Sequence, residues 1–366
     1  MQAKAVISRE NNQRVVVETI EVAPPRAGEV MIKLAACGVC HSDLSATNGT
    51  IPFPPPIILG HEGAGEVIEV GAGVTGFKVG DHVLSSFVTM CGVCHYCTIG
   101  RPALCDLGAK TLYTLPTGDL RTSDASGAPL NIFSGCGVMA EYATLNTRSI
   151  IKIPQDAPLK QAALVGCGVM TGFCAATNTA RVEPGAMVAV FGCGGVGLSA
   201  IQGAAVSGAG MIVAVDIDDF KLELAKLMGA THTVNSKGEE NLVKTLKKLT
   251  GGGVDYAFEC VGSGELAATA YSALRKGGKA VIVGVARPKD MTSIRTASIT
   301  FEEKTLTGSY FGSARPREDA PRILGLYKSG KVKLDELVTR TYSIDEAPKA
   351  FADLEAGKNA RGVIVF

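Results

Sequence analysis

Four cysteines, Cys91, Cys94, Cys97 and Cys105, follow one another with two, two and seven residues between them. One short loop can wrap all four thiolates around a single tetrahedral ion, and four protein ligands close its coordination sphere. Such a site is structural. The other roles for so dense a group, small buried hydrophobes or disulfide partners, fit the CxxC spacing less well. Zinc chemistry then has to happen elsewhere, and three segments carry the residue types for it. These are GVCHSD with Cys40, His41, Ser42 and Asp43, GHEG with His61 and Glu62, and VGCG with Cys167. Cys40, His61 and Cys167 together would make two thiolates and one imidazole, a set that leaves zinc an open position for water or substrate. Taken singly, Cys167 also reads as a core thiol and His61 as a structural histidine.

A second chemistry is written at GCGGVG, with Gly192, Gly194, Gly195, Val196 and Gly197. The run follows an apolar strand-like stretch and opens a small-residue helix over 198–207. The next apolar stretch ends in Asp216, about twenty residues on, which completes a dinucleotide fingerprint. Glycines let the backbone approach a pyrophosphate, whose charge meets the helix N-terminus. Asp216 would accept from the adenosine ribose hydroxyls and repel a 2′-phosphate, which favours NAD over NADP. The competing reading makes Asp216 a turn residue at a strand end and the glycines packing.

The elements that position these groups fall into two textures. Residues 1 to about 165 read as short strands broken by Gly and Pro, for example 15–22, 29–34, 65–70 and 82–85. From residue 187, apolar runs at 187–191, 212–215, 254–259 and 279–283 alternate with helical patterns at 220–228 and 242–249. Buried parallel strands with crossover helices predict an α/β doubly wound sheet. Past residue 312, helices at 320–328 and 344–354 and a strand at 362–366 are expected to return to the first domain. The turn-rich stretch 108–135 reads as a plain solvated loop with no part in the chemistry.

A chain of 366 residues is too long for one ordinary core, so two domains are expected. A net charge of +1 gives no electrostatic reason to seek nucleic acid or an anionic membrane. The opening MQAKAVISRENNQ lacks a basic-then-apolar leader pattern, and no apolar run reaches transmembrane length. A cytoplasmic protein is expected, where cysteines serve metals or cores more readily than disulfides.

GVCHSD, GHEGAGEV, GDHV, CGVCHYCTIGRPALC, GCGVMTG, VFGCGGVG and the terminal RGVIVF together resemble the zinc-dependent alcohol dehydrogenases of the medium-chain dehydrogenase/reductase family. The resemblance spans essentially the whole chain. It implies a GroES-like, mostly β catalytic domain over 1–168 and 312–366, and a Rossmann domain over 169–311. It implies two zinc ions per subunit: Cys40, His61 and Cys167 on the catalytic one, the ligand set known for alcohol dehydrogenases, and the four clustered cysteines on the structural one. Asp43 would steady His61, Ser42 would take the proton of the substrate alcohol, and Glu62 would lie behind the metal. Thr171 and Val196 correspond to residues lining the nicotinamide, Lys221 to a ribose contact, and His41 and Arg361 to pyrophosphate contacts. Val285 joins the coenzyme contacts in the same way. The implied reaction passes hydride between an alcohol carbon and NAD.

One departure from the family stands out, because many relatives carry a histidine where this chain has Ser45. Serine can pass a proton but cannot hold one near neutral pH, so release goes through water or through His41. Residues 45–59 hold no Asp or Glu, which disfavours the glutathione-dependent formaldehyde branch. Ile51 and Phe87 correspond to the wall of the substrate pocket and point to an apolar primary alcohol, aromatic or allylic, although both could equally pack the core. The resemblance implies a homodimer or homotetramer, with 305–308 as a contact edge. A non-catalytic NAD-binding zinc protein is the other class of reading; a lost metal ligand would be its sign, and none is lost.

Overall fold

The computed structural model describes residues 1–366. Two compact units divide the chain. Met1–Gly168, Arg315–Leu326 and Leu334–Phe366 form the first, and Val169–Ala314 with Tyr327–Lys333 the second. The return to the first unit thus comes three residues after 312, and one short piece stays with the second.

The first unit carries two sheets, and its longest strand, Glu29–Val39, is the one that builds the site. It reads EVMIKLAACGV, apolar enough to be buried on both faces over most of its length. Antiparallel pairing sets Cys37 opposite Gly63 on the strand Gly63–Val70. On its other side, Val39 lies opposite Gly362 of Arg361–Val365. The register therefore brings the ends of three segments together: Cys40 just past the long strand, His61 and Glu62 just before the second, and Arg361 at the start of the last. Gly38 N–H donates to the Glu62 carbonyl at 2.9 Å. This strand runs five residues beyond the expected 29–34, because the small residues Ala35, Ala36 and Gly38 mask an apolar alternation that continues to Val39.

The turn-rich stretch 108–135 is not a plain solvated loop. Its short strands Thr122–Ser123 and Asn131–Ile132 form the two outer strands of the five-stranded sheet, flanking Val16–Val22, Gln2–Ser8 and Ile57–Ile58. Leu115, Leu130 and Ile132 are buried with Ile7, Ile20 and Val22. Arg121 closes a bidentate pair on Glu29, at 2.8 Å from Nε and 3.1 Å from Nη2, and both residues are buried. Turn composition predicts the bends in this segment and says nothing of the apolar anchors between them.

The second unit is a six-stranded sheet in which every neighbouring pair is parallel. In spatial order the strands are His232–Asn235, Met211–Asp216, Met187–Phe191, Val254–Glu259, Leu274–Ile282 and Thr305–Gly308. By chain order this is 3-2-1-4-5-6, the dinucleotide-binding arrangement, which receives ligands at the carboxyl ends of its strands. The fifth strand starts five residues before the expected 279. Its polar opening, Arg275 to Gly278, lies outside the apolar run, and pairing shifts register between Val254 and Tyr256. No single helix in the chain is long and apolar enough to cross a membrane.

Candidate active site and metal centres

Cys40, His61, Glu62 and Cys167 are all buried, and each offers a ligand atom within 4.8 Å of the others'. Cys40 precedes the helix His41–Thr47, whose third residue, Asp43, closes a capping box onto it. One Asp43 carboxylate oxygen accepts from Cys40 N–H at 3.1 Å. The other accepts from Gly60 N–H at 2.9 Å and lies 3.3 Å from His61 Nδ1. A single buried carboxylate thus ties two ligand segments together and directs the histidine's second nitrogen inward. That nitrogen, His61 Nε2, is buried with no hydrogen-bond partner. A buried imidazole nitrogen left unpaired beside two cysteine sulfurs has the chemistry of a metal ligand.

The electrostatics point the same way. Burial pulls the His61 pKa down, but the Asp43 charge and hydrogen bond, with help from Cys40, outweigh it and lift the value to about 10. Cys40 is held well below the usual thiol range, foremost by its hydrogen bond to Cys167, against burial and with His61 assisting. Without an ion, the site stabilises positive charge on its imidazole and negative charge on its sulfur, and a divalent cation satisfies the same field.

Glu62 is fixed on both sides. Gly168 N–H donates to one of its carboxylate oxygens at 2.9 Å, and Arg361 forms an ion pair with the other. Both Glu62 and Arg361 are buried, and Arg361 Nε has no partner. A Cβ on Gly38 would overlap the Glu62 carboxylate, and one on Gly168 would come within 2.6 Å of Arg361 Nη1. A side chain at either position would press on this buried ion pair, and neither glycine is singled out by the sequence. Arg361, expected on a pyrophosphate, is ion-paired with Glu62 through one terminal nitrogen, Nη2.

Two aromatic rings meet His61 edge-on, Phe87 at 5.9 Å and Phe133 at 5.2 Å between centroids. Phe53 packs on Phe133 at 4.5 Å. Phe87 was expected near the site; Phe133, from the stretch read as a solvated loop, was not. The signal that could have found it is FSGCG, where Ser134, Gly135 and Gly137 all take positive φ to turn the chain back. Ile51 is half-buried and packs against the β-sheet core. Ser42 Oγ lies 3.8 Å from Cys40 Sγ and is partly exposed, as is Ser45, while His41 is exposed.

The second cysteine group is only partly buried, apart from Cys105. Cys91 and Cys97 sulfurs are 3.9 Å apart, as are those of Cys94 and Cys105. Four sulfurs about 2.3 Å from a tetrahedral zinc stand about 3.8 Å from one another, so the cage already has the required size. Backbone N–H groups of Val93 and Cys94 donate to Cys91 Sγ at 3.4 and 3.2 Å. These donors, Val93 first, lower the Cys91 pKa to about 6 against burial, while burial lifts Cys97 to about 12. No disulfide joins any of the cysteines.

In the second unit, Gly192 follows the first strand with φ 89°, and its N–H donates to the Val215 carbonyl at 2.8 Å. Gly194 caps the helix Gly195–Val206. A Cβ on Gly197 would overlap the Gly192 carbonyl, and one on Gly172 would overlap that of Val196. The second contact draws the segment bearing Thr171 against Val196. Asp216 is buried at the end of its strand; one carboxylate oxygen accepts from Cys193 N–H at 2.7 Å, the other from Ile217 and Asp218 N–H at 2.8 and 3.1 Å. Lys221 is half-buried on the helix Asp219–Leu227, and Val285 is exposed.

Comparison with known proteins completes the picture. Residues 26–155 match the alcohol dehydrogenase GroES-like domain and residues 195–329 the zinc-binding dehydrogenase domain. An NDMA-dependent alcohol dehydrogenase of Amycolatopsis methanolica is 42% identical over 369 residues, covering 100% of this chain and 99% of its own. An S-(hydroxymethyl)glutathione dehydrogenase of Paracoccus denitrificans is 37% identical, with 100% of both chains covered. Among solved structures, benzyl alcohol dehydrogenase from Acinetobacter calcoaceticus superposes with a TM-score of 0.91 at 33% identity, covering 100% of this chain and 99% of its own.

Proposed function

The chain belongs to the zinc-dependent alcohol dehydrogenases of the medium-chain dehydrogenase/reductase family, and on that premise we propose that it oxidises a primary aromatic or allylic alcohol reversibly to the aldehyde, with NAD as hydride acceptor. Two zinc ions per chain serve it, one on Cys40, His61 and Cys167, the other on Cys91, Cys94, Cys97 and Cys105. The observation that carries the reading is His61 Nε2, buried and unpartnered among ligand atoms no more than 4.8 Å apart. When bound, zinc supplies Lewis acidity toward the alcohol oxygen, and the nicotinamide accepts the hydride.

This chain's own residues supply the rest. Asp43 holds His61 in one tautomer and keeps Cys40 in register with it. Ser42 takes the substrate proton and passes it toward Ser45, from which water or the exposed His41 carries it off. Glu62, balanced by Arg361, keeps a negative charge behind the metal ligands. Phe87 supplies an apolar, water-excluding wall that suits an aromatic substrate, in keeping with the benzyl alcohol dehydrogenase neighbour, while Phe133, buried in the core, packs against His61. The glycines Gly192, Gly194, Gly195 and Gly197, with Asp216, Lys221, Thr171, Val196 and Val285, receive NAD; Asp216 selects it over NADP. The working form is a cytoplasmic homodimer or homotetramer, with Thr305–Gly308, the outer strand of its sheet, as contact edge.

The test is a panel of benzylic, allylic, short primary and secondary alcohols, with S-(hydroxymethyl)glutathione included because of the Paracoccus relative. Each is run with NAD, with NADP, and with NDMA because of the Amycolatopsis relative. Benzylic or allylic turnover with NAD, together with two zinc ions per chain, is the expected result. Preference for the glutathione adduct, or turnover only with NDMA, overturns the substrate or coenzyme part respectively.

A further inference from the structure

Glu259 ends the strand Val254–Glu259, fully buried, and no part of the reaction described above uses it. One carboxyl oxygen gathers three successive backbone donors: Val261 and Gly262 N–H at 2.8 Å each, and Ser263 N–H at 3.4 Å. The other is buried without a partner. The Glu259 main-chain carbonyl accepts from Val283 and Gly284 N–H at 2.8 and 2.9 Å, so the same residue also holds the end of the next strand. Burying a carboxyl group is costly, and this one recovers the cost only by shaping the turn that follows it.

That turn abuts the coenzyme loop. Val261 Cγ2 fills the space that a Cβ on Gly192, the first fingerprint glycine, would need. Cys260 N–H donates to the Phe191 carbonyl at 2.9 Å. Gly262 takes φ 90° and would meet the Val285 carbonyl with any side chain, while a Cβ on Gly284 would meet Gly262 N. The ends of three parallel strands therefore lock together through Glu259, leaving Val261 and Val285 exposed at the carboxyl edge of the sheet, where ligands bind in such folds.

We propose that Glu259 is a positioning residue for dinucleotide binding: its carboxyl group sets the Val261–Ser263 turn, and that turn sets the Gly192 loop. The inference rests on the coenzyme part of the proposed function and reaches beyond it to a residue outside the fingerprint. The experiment measures NADH affinity by nucleotide fluorescence, which needs no turnover. Glu259→Leu strands three backbone donors and should weaken NADH binding about tenfold. Glu259→Gln keeps the acceptor of the fan and should restore most of that affinity. Zinc content, and the alcohol KM at saturating NAD, should stay at wild-type values in both variants.

Should Glu259→Leu fail to fold, Val261→Gly removes the side chain over Gly192 and should also weaken NADH. Wild-type affinity in Glu259→Leu or, where that variant does not fold, in Val261→Gly overturns the proposal. So does an equal loss in Glu259→Gln and Glu259→Leu. If the wild-type chain binds NADH but oxidises no alcohol, the catalytic reading falls while the role of Glu259 is still decided by these affinities. If it binds no dinucleotide, both fall.

Discussion

The two cysteine-rich centres use similar atoms in opposite ways. Cys91, Cys94, Cys97 and Cys105 span fifteen residues, stand partly in solvent apart from Cys105, and draw stabilisation from backbone N–H groups next door. Cys40, His61 and Cys167 come from three distant segments, are buried, and depend on one carboxylate, Asp43, to bring two of them into register. Under the proposed function, the closed local cage would hold a loop in shape, whereas the site assembled from remote parts, with an imidazole nitrogen left unpaired, would do the chemistry. The price of that second arrangement is its reliance on the whole β unit.

The sharpest way to break the contrast is to remove one ligand from each centre. His61→Ala should cut alcohol turnover about a thousandfold, the several kcal/mol a Lewis-acidic ion supplies, with NADH affinity unchanged. Cys94→Ala should instead release one zinc and lower the Tm by about 5–10 °C while turnover persists at low temperature. Metal analysis, calorimetry and initial rates separate the two; equal effects on turnover would erase the distinction. Next in size, Asp43→Asn should reduce activity or metal affinity about 10–100-fold, and no neighbour of the outer quartet should match it.

One group from each centre, His61 and Cys91, should also respond oppositely to pH once the metal is stripped, although each centre also holds a thiol shifted the other way, Cys40 down and Cys97 up. The raised His61 pKa means that its stabilising contribution is complete below about pH 6.5 and fades as pH rises through about 10. Cys91, lowered to about 6, contributes above the ordinary thiol value and loses that contribution as pH falls through about 6. Imidazole NMR shifts and thiolate absorbance of the chelated protein follow each group separately. The smallest effect is expected from Phe133→Leu, which removes an edge contact worth about 1 kcal/mol and should reduce benzylic turnover a few-fold. A wild-type rate profile across the alcohol panel would show that the buried Phe133 ring does not help to hold His61.

How much was legible beforehand differs between the units for the same reason. The alternating strands and helices of the second unit show as apolar runs, because parallel strands covered on both faces leave an unbroken signal. The first unit's central strand was read five residues short, since its small residues carry little hydrophobic signal although pairing on both sides buries them. Residues 108–135 looked like solvent-facing turns, yet Phe133 rests on His61 and Arg121 on Glu29. Gly38 and Gly168 lie inside GVCHSD and VGCG, where the metal-ligand types draw the eye and the glycines do not, and Glu259 lies in no motif. Their importance lies in what a side chain would strike or what a buried oxygen gathers, and both are facts of packing.

Ligand chemistry that depends on near neighbours was set by the order of residues alone: the CxxC quartet, the glycine fingerprint and the paired ligand types, because loop closure over a few residues leaves little choice of partner. The tertiary structure decided which distant groups meet. Strand register places Cys40 beside His61 and Arg361 beside Glu62, and a one-residue slip in any of those pairings would turn the ligands to the opposite face.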